Sequence, residues 1–426
     1  MDIQHRLNDE ATQAFVADHK ADDVRLLAFM ADKYPEVDMP WALQQIAGWQ
    51  MARRKLPSWA AVEGMVYPPH LSMEQCSSEQ TAKMKTNLPF QTDKGLLIDL
   101  TGGFGVDFSF MAQDFKRAVY VERQEDLCAI ARHNFHLLGL NQAEVVCGDG
   151  VEYLHQLQEH ASLIYLDPAR RNEHGGKTYA ISDCTPDVVA LREELLKKAD
   201  FIVVKLSPML DWREAVRQLP AQYTEVRIVS TGGECKELLL VLSDKMKAPL
   251  RLVCINDEEF FSIDNLPLGP QGRLPEQEFT INNLGRQLEF VNFDKLSLAS
   301  SRAVNYFLYE PNASIMKAGC FAELCERFGV EAIAENSHLF VSPDFIESFP
   351  GRKFQITSIS SMNKKSLRQT LQGVDRANIS VRNFPLSAEQ LRQRLHLKDG
   401  GEIYIFGTTT HKGDHVVLVC KKTKKS

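Results

Sequence analysis

Between Gly95 and Lys247 short apolar runs alternate with stretches whose apolar residues recur at three- and four-residue intervals. The runs have strand length: Leu96–Leu100, Ala118–Glu122, Glu144–Cys147, Leu163–Asp167, Phe201–Leu206, Glu225–Ser230 and Glu237–Ser243. The stretches between them predict helices at Val106–Gln113, Gln124–Leu138, Val151–His160, Pro186–Lys197 and Trp212–Leu219. Such alternation requires a mostly parallel sheet with helices on both faces, an α/β fold. Only the turn Thr231-Gly232-Gly233 separates the last two strands, so they form a hairpin. Upstream, Ala21–Tyr34 and Trp41–Arg54 have helical periodicity. Tyr67-Pro68-Pro69 then breaks the chain, and Ser77-Ser78-Glu79 opens a short helix through Lys85, placed to cover a ligand. Downstream, Asn256–Arg286 is rich in Asp, Asn, Pro and Gly and reads as a linker. Ser300–Phe328 reads as mostly helical, before a strand at His338–Val341. Phe354–Ser360, Lys364–Leu371, Ile379–Phe384, Ala388–Leu395, Glu402–Thr408 and His415–Lys421 read β-α-β-α-β-β. The expected domains are 1–90, helical; 91–250, the parallel sheet; 251–350, a linker and small middle domain; and 351–426.

A chain of 426 residues is expected to hold more than one domain, because a single core rarely grows past about 250–300 residues. Its 44% hydrophobic and 25% charged residues are ordinary for a soluble globular protein. The net charge of −7 hides a split. From Gly351 to Ser426 there are 15 Lys+Arg against 5 Asp+Glu, an excess of ten, which leaves −17 on the first 350 residues. Such asymmetry points to contact with a polyanion. Four of the charges are Lys421, Lys422, Lys424 and Lys425, but without this tail the segment is still positive. The nine cysteines form no C-x-x-C pair, and no zinc-ligand spacing occurs, so reduced thiols and no metal are expected. The opening residues carry Asp2, Asp9 and Glu10 with no apolar leader, and no apolar run spans a bilayer, so the expected location is cytoplasmic.

Four chemical signals lie at the carboxyl ends of the predicted strands, where open α/β sheets bind their ligands. They are the turn Asp99-Leu100-Thr101-Gly102-Gly103-Phe104-Gly105, then Glu122, Asp149, and Asp167-Pro168-Ala169-Arg170. A nicotinamide dinucleotide turn would complete G-x-G-x-x-G, but Phe108 stands three residues after Gly105. Taken in order, the four resemble a class I S-adenosylmethionine-dependent methyltransferase, a Rossmann-like seven-stranded sheet whose final strand is antiparallel. The resemblance implies S-adenosylmethionine as cofactor. Gly103 and Gly105 would let the backbone approach the methionine moiety, which a Cβ would block, and Thr101, also expected at the cofactor, stands where the pattern usually has Gly. Asp99 would meet the ammonium group, Glu122 the ribose hydroxyls, Asp149 the adenine amino group, and Asp167 both cofactor and acceptor. Either Glu122 or Asp149 alone would as readily be a helix cap or a solvated acid.

At the acceptor end, amino-methylating enzymes often carry an acid or Asn, two prolines and an aromatic residue. Here the second proline is Ala169 and the aromatic is Arg170, so that ring is not available to stack a flipped base. Arg170 and Arg171 offer planar donors to phosphate or carboxylate, or form surface ion pairs. Lys205, at a buried strand end, wants a partner, and Asp167 is the natural one. Ribose 2′-O-methyltransferases resemble this arrangement through a Lys-Asp-Lys-Glu set, in which a lysine helps deprotonate a hydroxyl. Asp167, Lys205 and Glu237 or Glu234 match three members by order, and Lys83 or Lys85 the first; a structural Asp167–Lys205 pair is an equal reading. Cytosine C5 chemistry needs a cysteine nucleophile, and the usual places hold Ala169 and Ser207; Cys184 or Cys235 would serve only if their loops folded back. His174 is the one histidine placed near the acceptor.

From Asp99 onward the chain resembles a bacterial group of class I methyltransferases with a C-terminal THUMP-like domain. The carriers are the Asp99–Gly105 turn, Asp167-Pro168-Ala169-Arg170-Arg171, Lys205-Leu206-Ser207-Pro208 with Asp211, and Gly233-Glu234-Cys235-Lys236-Glu237. Asn378-Ile379-Ser380-Val381-Arg382-Asn383-Phe384-Pro385 through Leu397-Lys398-Asp399-Gly400-Gly401 carries it further, and Tyr309-Glu310-Pro311-Asn312 resembles members with a ferredoxin-like module. The resemblance implies an RNA substrate, tRNA or rRNA, held by the basic C-terminal domain, with Asp167, Arg170, Lys205 and Glu237 as acceptor-end residues. The alternatives are a methyltransferase acting on a protein or small molecule, and a non-catalytic RNA-binding protein that retains the cofactor pocket.

Overall fold

The computed structural model describes residues 3–87, 94–170, 181–219, 223–245, 250–266, 288–292 and 306–423. Contacts divide the chain into two compact units, residues 1–231 with 236–250, and residues 232–235 with 251–426.

The first unit opens with helices α1 (Ile3–Leu7), α2 (Glu10–His19), α3 (Val24–Ala28), α4 (Met39–Lys55), α5 (Pro57–Ala60), α6 (His70–Gln75) and α7 (Glu79–Thr86). The expected helix over Ala21–Tyr34 is shorter. Asp23 caps its start by accepting from Arg25 N–H, and a 3-10 turn at Ala31–Lys33 replaces its end. Helix α4 is bounded by chemistry legible in the chain: Asp38 caps it, Pro40 stands in its first turn, and Arg53, Arg54 and Lys55 complement the carbonyl end. Ser78 caps α7 in the same way, accepting from Thr81 N–H.

Strands β1 (Leu96–Asp99), β2 (Arg117–Glu122), β3 (Ala143–Cys147) and β4 (Ala161–Leu166) alternate with α8 (Val106–Ala112), α9 (Glu125–Leu137) and α10 (Gly150–Gln156). A two-residue pair follows, β5 (Ala169–Arg170) against β6 (Cys184–Thr185). Then come α11 (Val188–Lys198), β7 (Ala199–Leu206), α12 (Trp212–Gln218), β8 (Tyr223–Thr231) and β9 (Glu234–Leu242). The seven long strands lie in the order β3-β2-β1-β4-β7-β9-β8. β1, β2, β3, β4 and β7 are parallel, and β9 runs antiparallel to β7. Strand order reverses between β1 and β4, and a crevice opens at such a switch point. One core face joins Leu97, Tyr120 and Leu163 to Phe108 and Phe135. A second cluster packs Trp41, Trp59 and Met73 of the helical region against Phe104, Val106 and Phe110, so the N-terminal helices share a core with α8.

The second unit holds β10 (Leu250–Asn256), β11 (Glu259–Leu266), β12 (Tyr306–Pro311), α13 (Ala313–Ala318), α14 (Phe321–Phe328), β13 (Glu331–Ala332), β14 (Phe340–Ser342), β15 (Gly351–Ser361), α15 (Lys364–Thr370), β16 (Arg376–Arg382), α16 (Ala388–Leu395), β17 (Lys398–Thr409) and β18 (His415–Lys422). Two readings are corrected here. Part of the expected linker is β11, whose Phe261, Ile263 and Leu266 are buried. Within the expected helix over Ser300–Phe328, whose residues before Tyr306 lie outside the described ones, Tyr306–Pro311 is β12, because Tyr306-Phe307-Leu308-Tyr309 favours an extended chain between β14 and β15. A seven-stranded sheet runs β13-β14-β12-β15-β18-β17-β16, with β16 and β17 parallel. Buried Glu310 on β12 accepts from Arg352 Nε of neighbouring β15 (2.5 Å) and from Arg382 Nη2 of the edge strand β16 (2.7 Å), tying an inner strand to one edge of the sheet.

Candidate functional site

The carboxyl ends of β1, β2, β4 and β7 open into one cavity of about 780 Å³. The turn after β1 forms one wall. Gly103 has φ +57°, a conformation that costs a side-chain-bearing residue about 1–2 kcal/mol, and its N–H donates to Glu122 Oε2 (2.8 Å). Gly105, with φ +81°, caps α8, and a Cβ there would lie 2.7 Å from the Phe135 ring. Its need for glycine is therefore set by packing as well as by the turn. Thr101 does not have positive φ, so a Cβ is tolerated there. Its hydroxyl donates to Asp99 Oδ1 (3.3 Å) and accepts from the Asp167 N–H (2.6 Å), joining the ends of β1 and β4.

Asp99 is 1% exposed. Burial, offset partly by the Thr101 N–H and reinforced by the nearby Asp107 and Asp167 carboxylates, pushes its carboxyl up to about 8. Among the described residues it has no ion-pair partner. Glu122 stands on the cavity wall, with Oε1 accepting from Gln124 N–H (2.9 Å) and a further lone pair on each oxygen. Asp149 is placed differently. Its Oδ1 caps α10, accepting from Val151 N–H (2.7 Å) and Glu152 N–H (3.0 Å), and its Oδ2 pairs with Arg123. Burial would raise this carboxyl, but the two N–H groups and Arg123 hold it below its usual value. Gly148, Gly150 and Val151 line the cavity where Asp149 does not.

At the acceptor end Lys205 Nζ lies 2.6 Å from Asp167 Oδ2, 3.1 Å from Ser77 Oγ and 3.5 Å from Asp107 Oδ2. Burial would lower the Lys205 ammonium, but Asp167, Asp107 and Glu237 carry it above the ordinary lysine range. It is a fixed cation, which does not suit a lysine meant to take a proton. Glu237 is 2% exposed and does not line the cavity. Both its oxygens hold Lys85 Nζ, at 2.6 and 2.7 Å. Lys85, not Lys83, therefore joins the set; Lys83 pairs with Glu79. Glu234 is exposed. The Arg170 side chain, Arg171 and His174 lie outside the described residues. Cys184 belongs to the cavity wall, whereas Cys235 does not.

Sequence reading missed Asp107, Ser77 and Tyr165. Asp107 Oδ2 accepts from Ser77 Oγ and Tyr165 OH, each at 2.8 Å. The signal for it was a lone carboxylate in α8, a helix whose every residue is buried. The signal for Ser77 was masked by its reading as a helix start.

The residues fit a cofactor with an ammonium group and paired hydroxyls. Asp99, a buried carboxyl group with no ion-pair partner among the described residues, lines the cavity, a turn without Cβ atoms at Gly102 and Gly103 forms one wall, and Glu122 offers lone pairs beside them. Strand order and crevice together define a class I methyltransferase sheet. A model described as a THUMP domain-like family matches residues 351–422, and one described as a ferredoxin-like domain matches 307–350. The chain is similar to a Porphyromonas gingivalis W83 protein whose crystal structure is described as a methyltransferase, with 31% identity, 100% of each chain covered and a TM-score of 0.83. An rRNA methylase from Streptococcus thermophilus (13% identity, 38% of this chain and 92% of that one, TM-score 0.27) is too distant to carry an argument. So is an O-methyltransferase from Bacillus cereus in complex with SAH (15% identity, 52% and 97%, TM-score 0.30). No curated protein matches. The chain belongs to the class I S-adenosylmethionine-dependent methyltransferases with C-terminal ferredoxin-like and THUMP-like domains. It is an enzyme of that family. Among the described residues no helix is long and apolar enough to cross a membrane, and no group of three or more His, Cys, Asp or Glu is placed to hold a metal.

Proposed function

We propose that the chain methylates RNA, tRNA or rRNA, at a nitrogen or oxygen of a nucleotide presented to Asp167. The observation that carries the RNA reading is a THUMP domain-like segment, residues 351–422, in the part of the chain with ten excess positive charges. On this reading Asp99 meets the cofactor's ammonium group, the Gly103 turn makes room for its methionine end, and Glu122 takes the ribose hydroxyls. Asp149 acts at one remove, by fixing the Gly148–Val151 backbone beside the adenine. The cofactor supplies a methyl group on a sulfonium, whose departure leaves a neutral thioether.

Positioning of the acceptor then provides much of the rate. Asp167 keeps Oδ2 on Lys205, and its Oδ1 receives the proton of the acceptor N–H or O–H. Lys205 holds that carboxylate in place. Glu237 acts through Lys85, and Arg170 contacts a phosphate next to the target. A carbon acceptor is disfavoured, because Ala169 and Ser207 occupy the usual cysteine places.

The test is transfer of radiolabel from S-adenosylmethionine to separated tRNA, rRNA and protein fractions from a strain lacking the protein. Label in one RNA fraction is expected, and nucleoside digestion then identifies the base or ribose position. Label confined to protein, or to neither fraction, overturns the RNA reading.

A further inference from the structure

We infer that Asp107, with Ser77, is a positioning residue for the methyl-transfer site, and that through it α7 of the N-terminal helical region fixes the acceptor end. The inference rests on the functional reading above and goes beyond it, since neither residue contacts the reacting atoms there.

Asp107 is 8% exposed and lies directly after the glycine turn, at the second position of α8. Its carboxylate stands between two ammonium groups. Lys85 Nζ is 3.1 Å from Oδ1, and Lys205 Nζ is 3.5 Å from Oδ2. Burial would raise this carboxyl, but the two lysines, with Ser77 and Tyr165, hold it far below its usual value. The Ser77 hydroxyl has one hydrogen and two lone pairs. It donates to Asp107 (2.8 Å) and accepts from Lys205 (3.1 Å) and Lys85 (3.4 Å), so all three sites are used. A hydroxyl saturated in this way fixes the distance between both cations and the carboxylate.

Without the Asp107 charge, the buried Lys85 ammonium and the part-buried Lys205 ammonium would face each other across the hydroxyl. Lys85 would retain Glu237, but Lys205 would have Asp167 as its near counter-ion. Lys205 would then draw closer to Asp167, and the carboxylate that receives the acceptor's proton would be displaced. Ser77 and Lys85 both belong to the helical region, and Gln75, Cys76 and Ser77 line the cavity. That region is thus part of the site wall, not an appended cap.

The test uses the full chain as wild type, Asp107→Asn and Ser77→Ala, labelled with 15N-lysine. The protected Lys205 ammonium signal is identified by its loss in Lys205→Arg. It is expected to shift or vanish in both test variants. At saturating cofactor, kcat is expected to fall roughly tenfold or more in Asp107→Asn and less in Ser77→Ala, while cofactor Kd changes by less than about threefold. If Asp107→Asn does not fold, Ser77→Ala supplies the same readouts. An unchanged Lys205 signal overturns the inference, as does a loss of turnover accounted for wholly by cofactor Kd. A wild type that transfers to no acceptor overturns the functional reading instead, and the Lys205 signal still decides the role of Asp107.

Discussion

At the scale of single residues, Asp99 bears most directly on what the cavity accepts. A carboxyl pushed up to about 8 by burial is largely protonated at neutral pH. Binding of a ligand ammonium favours its ionised form, so cofactor binding at pH 7 should release protons. Calorimetry in buffers of differing ionisation enthalpy reads this release, and Asp99→Asn should abolish it. Stability gives a second check. The folded carboxyl titrates above its unfolded value, so its contribution is full below pH 3.8 and is lost as pH rises through about 8. Asp99→Asn should therefore melt at a higher temperature than wild type above pH 8, relative to the difference at pH 4. Asp167 predicts the opposite division of effects. Asp167→Ala should abolish methyl transfer while cofactor affinity stays within several-fold; unchanged turnover would remove the Asp167 loop from the mechanism. The Asp167–Lys205 contact was legible because a lysine at a buried strand end needs a counter-ion. Asp107 was not, because its partners lie 22 and 30 positions upstream and 58 and 98 downstream, and no local pattern joins them.

At the scale of elements, the parallel strands and their helices were read to within a few residues because strand and helix periods differ and each run is bounded by turn chemistry. The failures have different causes. Tyr306–Pro311 pairs with β14 and β15, which lie well downstream, and a short apolar run does not choose between helix and strand by itself. Glu259–Leu266 pairs with the adjacent β10, but its Asp and Asn residues obscure its alternating buried face. The Asp149 turn is a subtler case. An acid after β3 matched a ligand position, yet its geometry is first that of a helix cap. The next residue makes the constraint on this element testable. A Cβ on Gly150 would lie 2.1 Å from the Leu100 carbonyl oxygen, a backbone atom that cannot rotate away. Gly150→Ala should cost about 1–3 kcal/mol or more by overpacking. Denaturant unfolding measures it, and a loss below about 0.5 kcal/mol would refute the close approach of α10 to β1.

At the scale of the whole molecule, the charge split is the feature with consequences for partners. Helix α15 presents Lys364, Lys365 and Arg368 to solvent. If the second unit holds RNA by its phosphates, affinity should fall steeply with salt, with a slope of about −0.7 per single-strand phosphate neutralised. Replacing the three by Ala should weaken RNA binding and flatten that slope by up to about two, leaving cofactor affinity unchanged. A filter-binding series in salt tests both, and an unaltered slope would place the RNA contact elsewhere.

The sequence by itself determined the α/β sheet, the glycine turn, the order of acids at its strand ends and the basic terminal segment, because each is written in local periodicity, turn chemistry or charge. Only the tertiary structure decided which carboxylates share a cavity. It brought Lys85 to Glu237 across 152 positions, set Asp107 between two lysines, gave Asp149 to a helix end, and closed the site wall with Ser77. Those assignments depend on burial and on distances between elements remote in the chain, and such quantities exist only once the elements have packed.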